Sequence, residues 1–155
     1  MQEFRLKKEF SKVSYYGNGP EENYCDRREG AKLGRYVYEA GDSLSHYLVP
    51  QECGNRTGVR FLSVENNRGE GLRFESVEEP FEMSVLPYSA MELEEAMHEE
   101  ELTQSSNTWV RILACQSGVG GDDSWGAPVH DEYLIPSDKE IKFTFSIQPF
   151  VQKAD

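Results

Sequence analysis

The stretch Ile141-Lys142-Phe143-Thr144-Phe145-Ser146-Ile147-Gln148 alternates large apolar and polar side chains at every position. Successive side chains of a strand point to opposite faces, so this period places Ile141, Phe143, Phe145 and Ile147 on one side and the polar residues on the other. It is the clearest strand in the chain, and its natural setting is a sheet with one face buried. Working outward, Phe81, Met83 and Val85 alternate in the same way, and Val59 and Phe61 begin a further strand. Leu72 and Phe74 alternate against Arg73 and Glu75, and Asn66-Asn67-Arg68-Gly69 supplies the turn chemistry of a hairpin before them. Trp109 to Cys115 is more continuously apolar, with Trp109, Val110, Ile112 and Leu113 suited to a core, while Phe4 to Leu6 and Tyr36 to Tyr38 are weaker repeats. About seven such segments predict an all-β protein, a β-sandwich by default.

One segment breaks the period of two. Ser89-Ala90-Met91-Glu92 fits a capping box, and Leu93, Ala96 and Met97 follow at helical spacing, which predicts one short helix within Ser89 to Leu102. Its other face carries Glu94, Glu95, Glu99, Glu100 and Glu101 beside His98. That face reads as solvated, since three successive glutamates lack the spacing of a metal site.

The 155 residues include 28 acidic and 16 basic side chains, a formal net charge of −12. The length suits one domain over 1–155. The charge argues against nucleic acid and against an anionic membrane surface, because both are bound by excess Lys and Arg. No run of about 18 apolar residues is present to span a bilayer, and the start of the chain has no apolar signal-peptide core. Cys25, Cys53 and Cys115 are odd in number, widely spaced and without a CxxC, which predicts three unpaired thiols rather than a disulfide scaffold or zinc ribbon.

Two segments read as loops with unusual residues. Tyr15-Tyr16-Gly17-Asn18-Gly19-Pro20-Glu21-Glu22-Asn23-Tyr24 sets two glycines and a proline among aromatic rings, and Gly118-Val119-Gly120-Gly121-Asp122-Asp123-Ser124-Trp125-Gly126 surrounds a tryptophan with glycines. An indole flanked by glycines and carboxylates either stacks on the C–H face of a sugar or on a partner, or tucks in as a structural side chain. Asp122 and Asp123 offer two carboxylates, which glycoside hydrolysis requires at a defined separation. Adjacent loop aspartates more commonly accept backbone N–H bonds within a turn. His46, His98 and His130 are scattered and adjoin no nucleophile, so surface or packing roles are expected. No GxSxG, P-loop or dinucleotide fingerprint occurs.

At these loops the chain resembles a known family. Tyr16-Gly17-Asn18-Gly19-Pro20-Glu21-Glu22-Asn23-Tyr24, then Asp26-Arg27, Gly30-Ala31 and Gly34, resembles the YGRGPxENYxDRxxGAxxG segment in the C-terminal domain, or small chain, of the large β-galactosidases of glycoside hydrolase family 2. Val49-Pro50-Gln51-Glu52-Cys53-Gly54-Asn55-Arg56 is similar to its PQENGNR segment. Pro80-Phe81, Tyr88, Leu93, Ala96, His98 and Leu102 track its helix region, and residues 118–126 match its last glycine-rich loop. Cys25 stands where Pro is common, and Cys53 where Asn is common.

The resemblance implies a β-supersandwich of the galactose-mutarotase-like type, of which this chain is the later part, and unpaired strand edges where the remainder would pair. It implies a parent enzyme that hydrolyses terminal β-D-galactosyl residues by a retaining mechanism, with its catalytic glutamates in a barrel that this chain lacks. No catalytic residue and no metal ligand is therefore assigned here. Trp125 is the implied sugar-binding residue, on a loop shaped by Gly120, Gly121, Asp122, Asp123 and Ser124. The implied partners are a β-galactoside, the rest of the enzyme and further copies of the chain, and the magnesium and sodium common in the family would be held mainly outside this segment. A free-standing carbohydrate-binding or interaction module with the same sandwich is the alternative. The sequence leaves a bacterial cytoplasm and periplasm both open.

Overall fold

A computed structural model describes residues 1–103, 105–123 and 126–152. Among the described residues there are nine strands: β1 (Gln2–Lys7), β2 (Lys12–Gly19), β3 (Lys32–Glu39), β4 (Arg56–Val59), β5 (Phe61–Glu65), β6 (Glu70–Ser76), β7 (Phe81–Leu86), β8 (Asn107–Leu113) and β9 (Phe145–Val151). They form two antiparallel sheets, ordered β1-β8-β7-β4 and β3-β2-β5-β6-β9. The protein is an all-β sandwich, as the alternation predicts.

Its core is the set of inward positions from both sheets. Val13, Tyr15, Leu62, Val64 and Phe74 of one sheet meet Val59, Phe81, Met83, Val85, Val110 and Ile112 of the other, all within 1% of full burial. Phe145 joins the two sheets, with its ring centroid 6.3 Å from those of Phe4 and Phe81 and 6.4 Å from that of Phe74. The β5–β6 hairpin turns through Asn66 to Gly69 as expected, with Asn66 Oδ1 accepting from the backbone N–H groups of Arg68 and Glu70.

Four sequence expectations need correction. The strand read from Ile141 starts at Phe145 and runs on to Val151, with Phe143 still stacked on Phe145 at 5.6 Å. Val59 and Phe61 do not share a strand: the chain leaves one sheet at Val59, bends at Arg60 and enters the other at Phe61, while Gly58, with a φ of +63° that suits glycine, sits at the irregularity in the pairing of β4 with β7. The first half of the segment read as a loop from Tyr15, up to Gly19, is strand β2, paired with both β3 and β5. Its glycines hid that, yet Gly17 is what lets β4 pass close by, since a Cβ there would lie 2.9 Å from Val59 Cγ2.

Trp109 is not in the core. It is half-buried with the Arg5 guanidinium 5.9 Å from its ring centroid, while Val110 and Ile112 point inward. Arg111, on the same face as Trp109, is buried, and its guanidinium bonds Glu3 at 2.8 Å and Glu52 at 3.0 Å. The helix, α1, covers only Ala90–Glu95. Its capping box forms as predicted, with Glu92 N–H donating to Ser89 Oγ at 3.1 Å and Ser89 N–H to Glu92 Oε2 at 2.7 Å. It then stops, because Glu94 and Glu95 oppose the helix dipole at its C-terminal end and no basic residue is there to offset them. A separate 3-10 turn follows at Glu99–Glu101. Leu93 packs with Cys53, Leu86 and Tyr88 in a second small core that fastens this flap to the sheet.

The sandwich is open at one end. An apolar groove of about 400 Å³ is lined by Leu6 and Phe10 on one side and Leu72, Pro149, Phe150 and Val151 on the other. Ile147, paired opposite the buried Phe74, is 44% exposed. β1, β4, β3 and β9 are the sheet edges among the described residues.

Candidate functional site

Three segments far apart in the chain meet at one corner of the sandwich. The first is the turn after β2. Arg27 N–H donates to Tyr24 C=O at 2.9 Å and Tyr24 N–H to Arg27 C=O at 3.4 Å, which puts Cys25 and Asp26 at the tip of a tight reverse turn.

The second segment, 53–57, holds that turn in place. Asn23 is 1% exposed, and its side-chain oxygen accepts from Thr57 N–H at 3.0 Å and from Thr57 Oγ1 at 2.6 Å. Its amide nitrogen donates to the carbonyls of Asn18 at 3.1 Å and Glu21 at 2.9 Å. Asn55 returns the contact, donating from Nδ2 to Asn23 C=O at 3.0 Å and to Glu82 Oε2 at 2.8 Å. Glu22 accepts from Gly54 N–H at 2.9 Å, from Arg27 Nη2 at 2.6 Å and from the Tyr47 hydroxyl. Burial pushes the Glu22 carboxyl up, but the bonds from Tyr47, Gly54 and Ser45 and the Arg27 charge outweigh it, and the net shift is downward. Glu82 shifts the other way, because its burial outweighs the bonds from Asn55 and the Gln116 backbone.

The third segment is the glycine-rich loop. Val119 N–H and Gly120 N–H both donate to Asp26 Oδ2, at 2.9 and 2.7 Å. Gly118 permits this approach, since a Cβ there would lie 2.6 Å from the same oxygen. Gly118 N–H donates to Tyr133 C=O at 2.8 Å, and the Cys25 thiol lies 3.5 Å from Gln116 C=O and 3.7 Å from Tyr133 C=O. Burial and then the Asp26 charge push the Cys25 thiol up. Asp122 Oδ1 pairs with His130 Nε2 at 2.8 Å, and Asp123 Oδ1 accepts from Ala127 N–H at 3.3 Å. Asp26, Gly120, Gly121, Asp122, His130 and Tyr133 line a hollow of about 140 Å³, and Asp26 also borders a broader bowl of about 490 Å³ lined from within residues 19–31.

The structure therefore brings Gly120, Gly121, Asp122 and Asp123 to one corner with the 16–27 and 53–57 segments. Ser124 and Trp125 lie outside the described residues. Asp122 and Asp123 each bond within their own loop, to His130 and Ala127. Sequence reading missed Asp26 and His130 as members of this site. Asp26 stands 93 residues before the first amide that it binds, so no local spacing marks it. His46 pairs with Glu99 at 2.6 Å, on the 3-10 turn that follows α1. Among the described residues no group of three or more His, Cys, Asp or Glu side chains is placed to hold a metal ion. The three cysteines are unpaired, and Cys53 is buried in the second core, which pushes its thiol up to about 11.

Residues 2–147 match the family model described as β-galactosidase small chain. The chain belongs to the β-galactosidase small-chain family. It is 49% identical over 144 residues to a β-galactosidase of Halalkalibacterium halodurans, covering 93% of this chain and 14% of that protein. A β-galactosidase of Streptococcus thermophilus is 45% identical over 147 residues, again covering 14% of its own length. A β-galactosidase small subunit of Latilactobacillus sakei is 38% identical over 136 residues, which cover 81% of this chain and 42% of that subunit. The chain thus spans about one seventh of the first two relatives and less than half of the third. The motifs that resemble the family at 16–27, 49–56 and 118–126 contribute the segments that meet at this small-chain corner, through 22–27, 54–56 and 118–122.

Proposed function

We propose that this small-chain segment is the non-catalytic wall of the sugar site in a β-galactosidase. The parent enzyme hydrolyses terminal β-D-galactosyl residues by a retaining mechanism, its two catalytic carboxylates come from outside these residues, and Trp125 stacks on the incoming β-galactoside. Magnesium and sodium, where the enzyme uses them, are held mainly outside this segment. The observation that carries the reading is the convergence of three family-like motifs on the loop that leads to Trp125, in a chain matching one seventh of its β-galactosidase relatives. The bonds of Asp122 and Asp123 within their own loop support turn-making roles rather than a catalytic pair.

The remainder of the enzyme is the partner of the open end. Its strands would cover Ile147 and fill the groove between Leu6 and Pro149, while an isolated chain would present the same apolar surface and free edges to its own copies.

Two measurements test this. The isolated chain should not turn over a chromogenic β-galactoside, and turnover that survives purification would overturn the non-catalytic assignment. In the complete enzyme, Trp125→Ala should weaken substrate binding by about 1–2 kcal/mol, the scale of an aromatic contact. An unchanged binding constant would remove Trp125 from the site.

A further inference from the structure

We propose that Asp26 is a positioning residue for substrate binding: its carboxylate anchors the glycine-rich loop and so sets where Trp125 meets the sugar. The inference rests on the sugar-contact reading of Trp125 and adds to it the group that holds the loop.

The anchor is a single oxygen taking two successive amides. Val119 and Gly120 present adjacent backbone N–H groups that converge on Asp26 Oδ2 at 2.9 and 2.7 Å. Consecutive N–H groups of this kind form a concavity suited to an anion, and a carboxylate is the only side chain that brings both a full charge and no competing donor. Bonds with an ionised acceptor are shorter and stronger than neutral ones. The second oxygen, Oδ1, is buried and has no partner among the described residues, so among them this carboxylate is held by the two loop amides alone.

The turn that presents Asp26 is itself rigidly tied. Asn23 and Glu22, immediately before it, take three side-chain contacts from Gly54 and Thr57 of the 54–57 segment, and Glu22 takes a fourth from the Tyr47 hydroxyl. Gly120 lies five residues before Trp125 in the chain. The tie therefore runs from Gly54 and Thr57, at the start of β4, through residues 22–26 to the loop, and Asp26 is the link across the gap of 93 residues. Gly118 belongs to the same device, because any side chain there would push the carboxylate away.

The test uses the complete enzyme with Asp26→Ala, Asp26→Asn, Trp125→Ala and the Asp26→Ala/Trp125→Ala double variant. Asp26→Ala should raise KM for a chromogenic β-galactoside roughly tenfold at nearly unchanged kcat, and Asp26→Asn, which keeps the shape and one acceptor, should restore most of the loss. In the Trp125→Ala background Asp26→Ala should add nothing to KM, because both changes remove one contact. Amide hydrogen exchange over 116–121 should accelerate in Asp26→Ala whatever the substrate kinetics. If Asp26→Ala does not assemble, Asp26→Asn carries both readouts with smaller changes in the same direction. A wild-type KM with unchanged exchange would overturn the proposal, and so would a KM increase that is equally large with and without Trp125. A Trp125→Ala variant with wild-type KM would overturn the sugar reading itself and Asp26's part in binding, while exchange alone would still decide whether Asp26 anchors the loop.

Discussion

The interior of the sandwich is buried and the corner where the motifs meet is only partly so, with Asn23, Asn55 and Thr57 buried and Glu22 and Asp26 half-buried, and the two are built on different rules. The interior is Val, Leu, Phe, Met, Ile and Tyr drawn from both sheets, and any one of these is defined by volume and by facing inward. The corner is Asn23, Asn55, Thr57, Glu22 and Asp26, and each is defined by which of its atoms donates and which accepts. The difference teaches that the sandwich tolerates change of shape-matched apolar residues while the corner does not tolerate change of chemistry at constant shape.

The largest effect that breaks the comparison on the core side comes from removing volume. Phe74 is fully buried, with Phe4 at 5.2 Å and Phe145 at 6.4 Å between ring centroids. Phe74→Ala should lower the segment's stability by about 3–5 kcal/mol, the range for emptying an aromatic site. Leu62→Met, at an equally buried position, should stay within about 1.5 kcal/mol because the volume is conserved. Urea midpoints of the two variants check the pair, and a loss for Leu62→Met as large as that for Phe74→Ala would mean that the core demands identity as well as volume.

On the corner side the matching test keeps shape and changes one group. Asn23→Asp is nearly isosteric, but it replaces the Nδ2 donor, which reaches the carbonyls of Asn18 and Glu21, with a second acceptor oxygen. Two carbonyls lose their donor and a charge is buried, so the expected loss is about 2–3 kcal/mol, from unsatisfied buried groups rather than from volume. It should appear as faster hydrogen exchange of the Thr57 amide, with the β6 amides little changed. Uniform acceleration across both sheets would show that Asn23 supports the whole sandwich rather than the corner.

The same contrast explains what was legible in the sequence. Period-two patterning exposed the core strands because each inward residue reports its face locally, as Phe81, Met83 and Val85 do. It failed at β2, where Gly17 and Gly19 interrupt the apolar positions, although Val13 and Tyr15 are fully buried. It failed at Val59 and Phe61 because a change of sheet leaves no mark on alternation. The capping box fixed the start of α1 correctly, while the end depended on the uncompensated charges of Glu94 and Glu95. The motifs of the corner were visible as strings, but the bond from Asp26 to Gly120 is a property of the folded chain, 94 residues apart, and periodicity carries no information at that range.

The smallest effects concern two carboxylates of the corner with opposite pH signatures. Glu82 has its carboxyl raised, mainly by burial, so the folded chain holds a proton that the unfolded chain releases near the ordinary value of about 4.3. Its contribution to stability is full below that value and is lost as pH rises through the raised folded pKa. Glu22 is lowered, since the bonds from Tyr47, Gly54 and Ser45 and the Arg27 charge outweigh its burial. Its contribution is present above the unfolded value and is lost as pH falls through the lowered folded pKa. Glu82→Gln keeps an acceptor for Asn55 and removes the buried charge, so at pH 7 it should raise the melting temperature, by an amount that shrinks toward pH 4. Glu22→Gln should lower it at pH 7, with a deficit that also shrinks toward acid. Melting curves of the two variants from pH 8 down to about pH 3, below the ordinary carboxylate value, read this directly. Equal signs at pH 7 would mean that burial alone governs both groups, and that the corner treats its carboxylates as the core treats its side chains, by place rather than by partner.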